Sequence, residues 1–134
     1  MGKINSRSKG AAFEREVAKH INNFFEEIDF DYKVKRNLEQ YQEVPHHSIE
    51  CKRYAKGNWY KEDWWQQVCK SSGPNKIPVL IWKYDRQPIR VCMPLWAIDY
   101  NDTRTDLGYC KGDNTITMVM TLDNWLRHVL AYNL

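Results

Sequence analysis

One apolar segment, Ile77 to Tyr84, most constrains how this chain can fold. Its centre, Pro78 to Trp82, is the longest apolar run, far below the roughly 18 residues that a membrane span needs. A short run rich in aliphatic and aromatic residues predicts a buried strand, and the following Asp85-Arg86-Gln87-Pro88 predicts a turn into a hairpin. We therefore expect a fold built around one central strand.

Helical and extended patterns alternate on both sides of this strand. We expect helices over residues 11–28 and 59–72, strands over 30–35, 48–53, 89–93 and 115–121, a loop over 99–114 and a last helix capped by Thr121. Asn58 is the expected N-cap of the second helix, which ends at Gly73. This order predicts an α/β fold in which helices cover a mixed sheet.

The length of 134 residues fits one domain, with a basic arm over residues 1–10 and a C-terminal extension over 99–134. Four widely spaced cysteines without a C-x-x-C pair, Cys51, Cys69, Cys92 and Cys110, favour a reduced, cytoplasmic protein. A zinc site at His46, His47 and Cys51 lacks a nearby fourth ligand.

The first helix carries an acidic residue in its apolar stripe. At about 100° per residue, one arc of the helix holds Phe13, Val17, Ala18, Ile21, Phe24, Phe25 and Ile28. Glu14 falls inside this arc. A carboxylate there is costly unless it is paired, protonated or bound to a metal, although a Glu at the stripe's edge also reaches solvent or a neighbouring group. Glu14 is therefore a candidate site residue.

The second unusual segment is Ile49-Glu50-Cys51-Lys52. In a strand, alternate side chains share a face, so Glu50 and Lys52 project together with Ser48 and His46, while Ile49, Cys51 and His47 point the other way. The alternative is a half-exposed strand with an ion pair, because a Glu-x-Lys pattern is short and common.

Together these residues favour phosphodiester hydrolysis. Mg²⁺, or Mn²⁺, prefers the oxygen ligands that Glu14, Glu50 and the backbone carbonyl of Cys51 would supply. Lys52 would orient or deprotonate the attacking water and offset the charge that develops on the phosphate.

The net charge of +3 is unevenly distributed, because most basic residues precede residue 99. Basic and aromatic residues alternate between residues 52 and 61, which suits contacts to nucleic acid, although a solvated surface has the same composition. The candidate DNA-binding residues are Lys3, Arg7, Lys9, Arg36, Arg53 and Lys56.

Several segments resemble a known family in the same order along the chain. Residues Lys9–Glu16 resemble the opening helix of Holliday-junction resolvases, and Ile49–Arg53 resembles their Glu-x-Lys strand. Residues Arg36–Gln40, Trp64–Gln67 and Lys76–Leu80 resemble a phage and prophage branch of the PD-(D/E)XK nuclease superfamily. The resemblance covers about residues 7 to 95.

This resemblance implies a restriction-endonuclease-like core and a metal held partly by Glu14. These nucleases also carry an Asp, usually after a Gly-Gly pair, before the Glu-x-Lys strand, but residues 41–47 contain neither. Glu43 is the nearest acid that would replace it as a catalytic and metal-binding residue, and His46 is the second choice. A site completed by His46 would favour Mn²⁺.

The expected function is therefore a metal-dependent DNA endonuclease that acts as a homodimer on branched DNA such as Holliday junctions, in the host cytoplasm if a phage encodes it. Two sites related by a two-fold axis suit paired incisions. The alternative is a catalytically inactive DNA-binding protein with the same fold.

Overall fold

A computed structural model of the chain describes residues 6–34, 44–99 and 112–134. Its elements, in chain order, are α1 (Ser6–Glu27), β1 (His47–Tyr54), α2 (Glu62–Ser72), β2 (Ile77–Tyr84), β3 (Arg90–Pro94), a 3₁₀ turn (Leu95–Asp99), β4 (Thr117–Thr121), α3 (Leu122–His128) and a last 3₁₀ turn (Leu130–Tyr132). None of the helices in these ranges combines the length and apolar character needed to span a bilayer.

The four strands form one mixed sheet in the order β1-β2-β3-β4. β1 runs parallel to β2, whereas β2 with β3 and β3 with β4 are antiparallel. The bounds of β2 are those predicted from the apolar run, and the predicted hairpin to β3 is confirmed. The mixed α/β fold class is therefore the one that the sequence predicts.

The two faces of β2 belong to two separate cores. Val79 and Ile81 point into a core shared with α1 and α3, whereas Leu80 and Trp82 point into a second core with α2. We call these the α1 face and the α2 face of the sheet. All side chains of β2 except that of Lys83 are buried, which explains why the strand reads as a continuous apolar run rather than an alternating one.

The apolar arc of α1 is buried as predicted, with Phe13, Val17, Ile21 and Phe25 each at most 2% exposed. Ile28 is the exception at 41% exposed, because α1 ends at Glu27 and the residue no longer follows the helical periodicity.

The strand predicted over residues 30–35 is wrong for its described part, residues 30–34, which have no regular secondary structure. The alternation is real, since Phe30 and Tyr32 pack against the core and Val34 is buried. The backbone of Val34, however, pairs with a side chain: its N–H donates to Asn22 Oδ1 at 2.6 Å, and its carbonyl accepts from Asn22 Nδ2 at 2.7 Å. The Asn22 side chain thus makes the two hydrogen bonds that a neighbouring strand would otherwise make with Val34.

The second helix begins at Glu62 rather than Trp59, and Lys61 rather than Asn58 stands at its N-cap position. The preceding segment is held by aromatic packing. The Tyr84 hydroxyl donates to the Trp59 carbonyl at 2.6 Å, and Trp59 lies edge-on to Trp82 with ring centroids 5.8 Å apart. These contacts hold Trp59 outside the helix to which its sequence spacing alone assigns it.

The C-terminal part of the chain belongs to the same sheet and core. β4 forms one edge of the sheet, and Thr121 caps α3 as predicted, its Oγ1 accepting from the Asn124 N–H at 3.3 Å. Trp125 of α3 is fully buried and meets the ring of His47, the first residue of β1, at 5.9 Å in a T-shaped contact. α3 therefore supports the strand that carries the candidate site.

Candidate active site

Glu50 and Lys52 project from the same face of β1, as the alternation predicts. They align with Leu80 and Trp82 of the parallel strand β2, and so lie on the α2 face. Lys52 Nζ lies 3.9 Å from Glu50 Oε1. The Glu50 side chain keeps 32% of its surface exposed and that of Lys52 keeps 20%, so both remain accessible to water or a ligand.

The opposite side of β1 packs as predicted. Ile49 is buried, Cys51 packs against the core on the α1 face, and His47 is 1% exposed. His47 Nδ1 lies 2.6 Å from the Pro45 carbonyl oxygen. Burial is the main reason that the pKa of His47 falls to about 4; the Pro45 carbonyl opposes this shift, and the nearby His46 adds to it. A neutral His47 therefore anchors the start of the strand.

Glu14 and Glu50 lie close enough to interact electrostatically. Burial is the largest cause that raises the pKa of Glu50; the ammonium of Lys52 lowers it, and the carboxylate of Glu14 raises it. Within the described residues β1 is an edge strand, so a side chain of α1 can approach Glu50 around that edge. The half-buried Glu14 sits beside the buried Phe13 and Val17.

Cys51 lies between Glu50 and Lys52 in the sequence and shares their electrostatic environment. Burial raises the pKa of its thiol well above the ordinary value, and the carboxylates of Glu14 and Glu50 raise it further. The thiol therefore stays protonated and is a poor metal ligand, since a thiolate is the form that binds. The role predicted for Cys51 uses its backbone carbonyl, and it stays a prediction.

Two carboxylates that interact electrostatically in a partly buried environment favour a nearby proton or cation. Their hard oxygens fit Mg²⁺ or Mn²⁺, which bind through one or two carboxylates and otherwise keep water. Across residues 6–34, 44–99 and 112–134, no group of three or more His, Cys, Asp or Glu side chains is placed to hold a metal ion.

The residues proposed to complete the site are placed differently. Glu43 lies outside the described residues. His46 is exposed and precedes β1 in a left-handed conformation with φ of 68°, so the strand alternation that assigned it to the face of Glu50 does not extend to it. Its carbonyl accepts from the Ile77 N–H at 2.8 Å and fixes the start of the parallel pairing.

Two of the predicted DNA-binding side chains are described. Lys56 is exposed in the loop after β1. The Arg53 guanidinium lies 2.5 Å from Asp85 Oδ1 and donates to the Tyr54 carbonyl at 2.6 Å, so the protein already holds it in place. For Lys3, Arg7, Lys9 and Arg36, no side chain lies within the described part. All six assignments stay predictions.

Tyr54 and Trp59 belong to the segment of alternating basic and aromatic residues that the sequence predicts to contact nucleic acid. Both remain about half exposed: Tyr54 lies two residues after Lys52 on β1, and the ring of Trp59 contacts Trp82, the strand partner of Lys52. Their interleaving with basic residues was visible in the sequence, but their exposure was not, because the same spacing also suits a buried helix face.

A mixed sheet covered by helices, with a Glu-x-Lys pair on an edge strand that runs parallel to its neighbour, is the architecture of the restriction-endonuclease-like, PD-(D/E)XK class. The chain belongs to a family of this class: the family described as "Phage putative PDDEXK endonuclease" matches residues 37–131. No curated protein and no solved structure matches the chain. The family match includes every strand of the sheet but begins after α1, so it does not include Glu14.

Proposed function

We propose that this protein is a metal-dependent DNA endonuclease that hydrolyses phosphodiester bonds, with Glu14, Glu50 and Lys52 as its catalytic residues. The observation that carries the proposal is the accessible Glu50–Lys52 pair at an edge of the sheet, with the Glu14 carboxylate near enough to act on Glu50 electrostatically, in a chain that belongs to an endonuclease family.

Each residue has a distinct part in the proposed reaction. Lys52 presents a positive charge beside Glu50, where it orients the attacking water and stabilises the negative charge that develops on the phosphate. Glu50 pairs with the Lys52 ammonium at 3.9 Å. The packing of Ile49 and His47 on the opposite face keeps both side chains in register.

Glu14 and Glu50 would hold the divalent cation, with the Cys51 carbonyl and Glu43 as further ligands. A cation bound there supplies Lewis-acid activation of water and phosphate. The raised pKa of Glu50 supports this role, because it reports an energetic cost of negative charge that a cation would offset.

The proposed substrate is branched DNA such as a Holliday junction, cut by a homodimer whose two sites are related by a two-fold axis. This part rests on the resemblance of residues 9–16 and 49–53 to Holliday-junction resolvases.

Nicking of supercoiled circular DNA tests the activity without assuming a DNA structure. The parent protein is expected to nick with Mg²⁺ or Mn²⁺ and not with EDTA, and Glu50→Gln is expected to abolish nicking. Nicking by Glu50→Gln at the parent rate would contradict the assignment.

One observation favours a second candidate, a catalytically inactive DNA-binding protein. Residues 41–47 lack the Asp expected before the Glu-x-Lys strand, and the described residues hold no group of three metal-binding side chains. A parent protein that binds DNA but never nicks it with either metal would establish this alternative.

A further inference from the structure

Two aromatic side chains remain exposed beside the candidate active site. Tyr54 is 45% and Trp59 50% exposed. We call these two residues the aromatic surface. Tyr54 follows Lys52 by two residues on the same face of β1, and the rise of a strand places their Cα atoms roughly 7 Å apart.

The rings of the aromatic surface pack against buried tryptophan side chains. Tyr54 stacks on Trp64 of α2, with ring centroids 5.2 Å apart and planes at 8°. Trp59 lies edge-on to Trp82, the strand partner of Lys52. The hydrogen bond from the Tyr84 hydroxyl holds the backbone of Trp59. Rings fixed in this way lose little conformational freedom when they contact a ligand.

The charges around these rings favour a nucleic acid as the occupant. Residues 52–61 contain four basic residues and no acidic one: Lys52, Arg53, Lys56 and Lys61. Of these, Lys52 is paired with Glu50 and Arg53 with Asp85, and Glu62 and Asp63 follow the segment directly. The Lys61 ammonium lies 6.0 Å from the centroid of the Tyr54 ring and 5.8 Å from that of Trp64. Aromatic rings that receive bases, next to cations that receive phosphates, form the usual composition of a surface for single-stranded DNA.

We propose that the aromatic surface stacks with an unpaired nucleobase next to the scissile phosphate, so that the protein selects DNA containing unpaired bases over continuous duplex. In a continuous duplex, neighbouring base pairs cover the faces of each base, so only an unpaired base can offer its face to a protein ring. The inference rests on the proposed function, since it assigns the substrate class of the same site.

The test compares binding to two DNA duplexes in EDTA, where the proposed reaction cannot proceed. One duplex carries a bulged 2-aminopurine, and the other contains the same base paired within a continuous helix. Trp59→Ala and Tyr54→Ala are each expected to weaken binding to the bulged duplex about 10-fold or more, because base stacking on one ring contributes on that order. Affinity for the continuous duplex is expected to stay within about twofold.

The matched controls separate stacking from a general loss of aromatic surface. Trp59→Phe and Tyr54→Phe keep a ring, and they are expected to retain most of the preference for the bulged duplex. Tyr132, which is 73% exposed in the last 3₁₀ turn, provides a remote aromatic, and Tyr132→Ala is expected to bind like the parent. Binding of the parent should also quench the fluorescence of the bulged 2-aminopurine.

The inference is overturned if both alanine variants keep the parent's ratio of affinities, or if the fluorescence does not change on binding. It is also overturned if Trp59→Ala dissociates a dimer while the ratio stays the same, since the surface then joins two copies of the chain. The outcomes for binding and for cleavage are independent. A protein that quenches the 2-aminopurine fluorescence but never cuts DNA retains this inference and loses the proposed activity. A protein that cuts DNA without preferring the bulged duplex retains the proposed activity and loses this inference.

Discussion

The buried His47 makes the stability of the protein depend on pH in a predictable direction. Its pKa is about 4 in the folded chain against an ordinary 6.5, so the unfolded chain binds a proton more readily between these values. The contribution of His47 is therefore fully present above pH 6.5 and falls as the pH falls toward 4. Between pH 7 and pH 5, the two values give a loss of about 2 kcal/mol in the free energy of unfolding.

Urea unfolding at pH 7 and pH 5 in metal-free buffer measures this effect. Glu50 also titrates, and its raised pKa acts in the opposite direction, so the informative quantity is the difference between the parent and His47→Gln. The parent is expected to lose about 2 kcal/mol more than this variant between the two pH values. His128→Gln, at an exposed position of α3, is the control and should behave like the parent. The same pH dependence in the parent and His47→Gln would refute the reasoning.

Three further predictions concern the site and its supports. Glu14→Gln should abolish cleavage yet leave the melting temperature in metal-free buffer unchanged or higher, because it removes repulsion between two carboxylates. A large fall in the melting temperature would show instead that Glu14 stabilises the fold. Gly57→Ala should lower the free energy of unfolding by about 1–3 kcal/mol, since the φ of Gly57 is positive and a Cβ would overlap the ring of Tyr84. Gly10→Ala, in a helix with open space around it, should raise the free energy of unfolding by about 0.5–1 kcal/mol. Equal effects of the two substitutions in urea unfolding would contradict the packing argument. Neutralising Lys3, Arg7 and Lys9, the last two of which lie in α1 rather than in the predicted arm, should flatten the dependence of log affinity on log salt, and an unchanged slope would place the DNA elsewhere.

The features predicted correctly from the sequence are those that one local pattern determines. The continuous apolar run of Ile77–Tyr84 fixes a strand buried on both faces, and the alternation around Glu50 assigns each side chain of β1 to its face. Thr121 caps α3 because its hydroxyl needs only an N–H three residues ahead.

The features that were missed depend on partners far away in the sequence. The segment ending at Val34 has the alternation of a strand, but its partner is the side chain of Asn22 in α1. Trp59 has helical spacing with the residues of α2, but its contacts with Trp82 and Tyr84 on β2 keep it outside that helix. No local pattern carries this information.

Cleavage of a labelled four-way junction and a matching linear duplex, each with Mg²⁺, Mn²⁺ or EDTA, tests the central proposal most directly. The parent is expected to cut the junction in preference to the duplex, and only with a divalent ion. Lys52→Met should lower the rate about 100-fold or more while junction affinity changes little, because its ammonium acts on charge that develops in the transition state. Lys70→Met, which removes an exposed ammonium from α2, should cut like the parent. A Lys52→Met protein that cuts as fast as the parent would contradict the account.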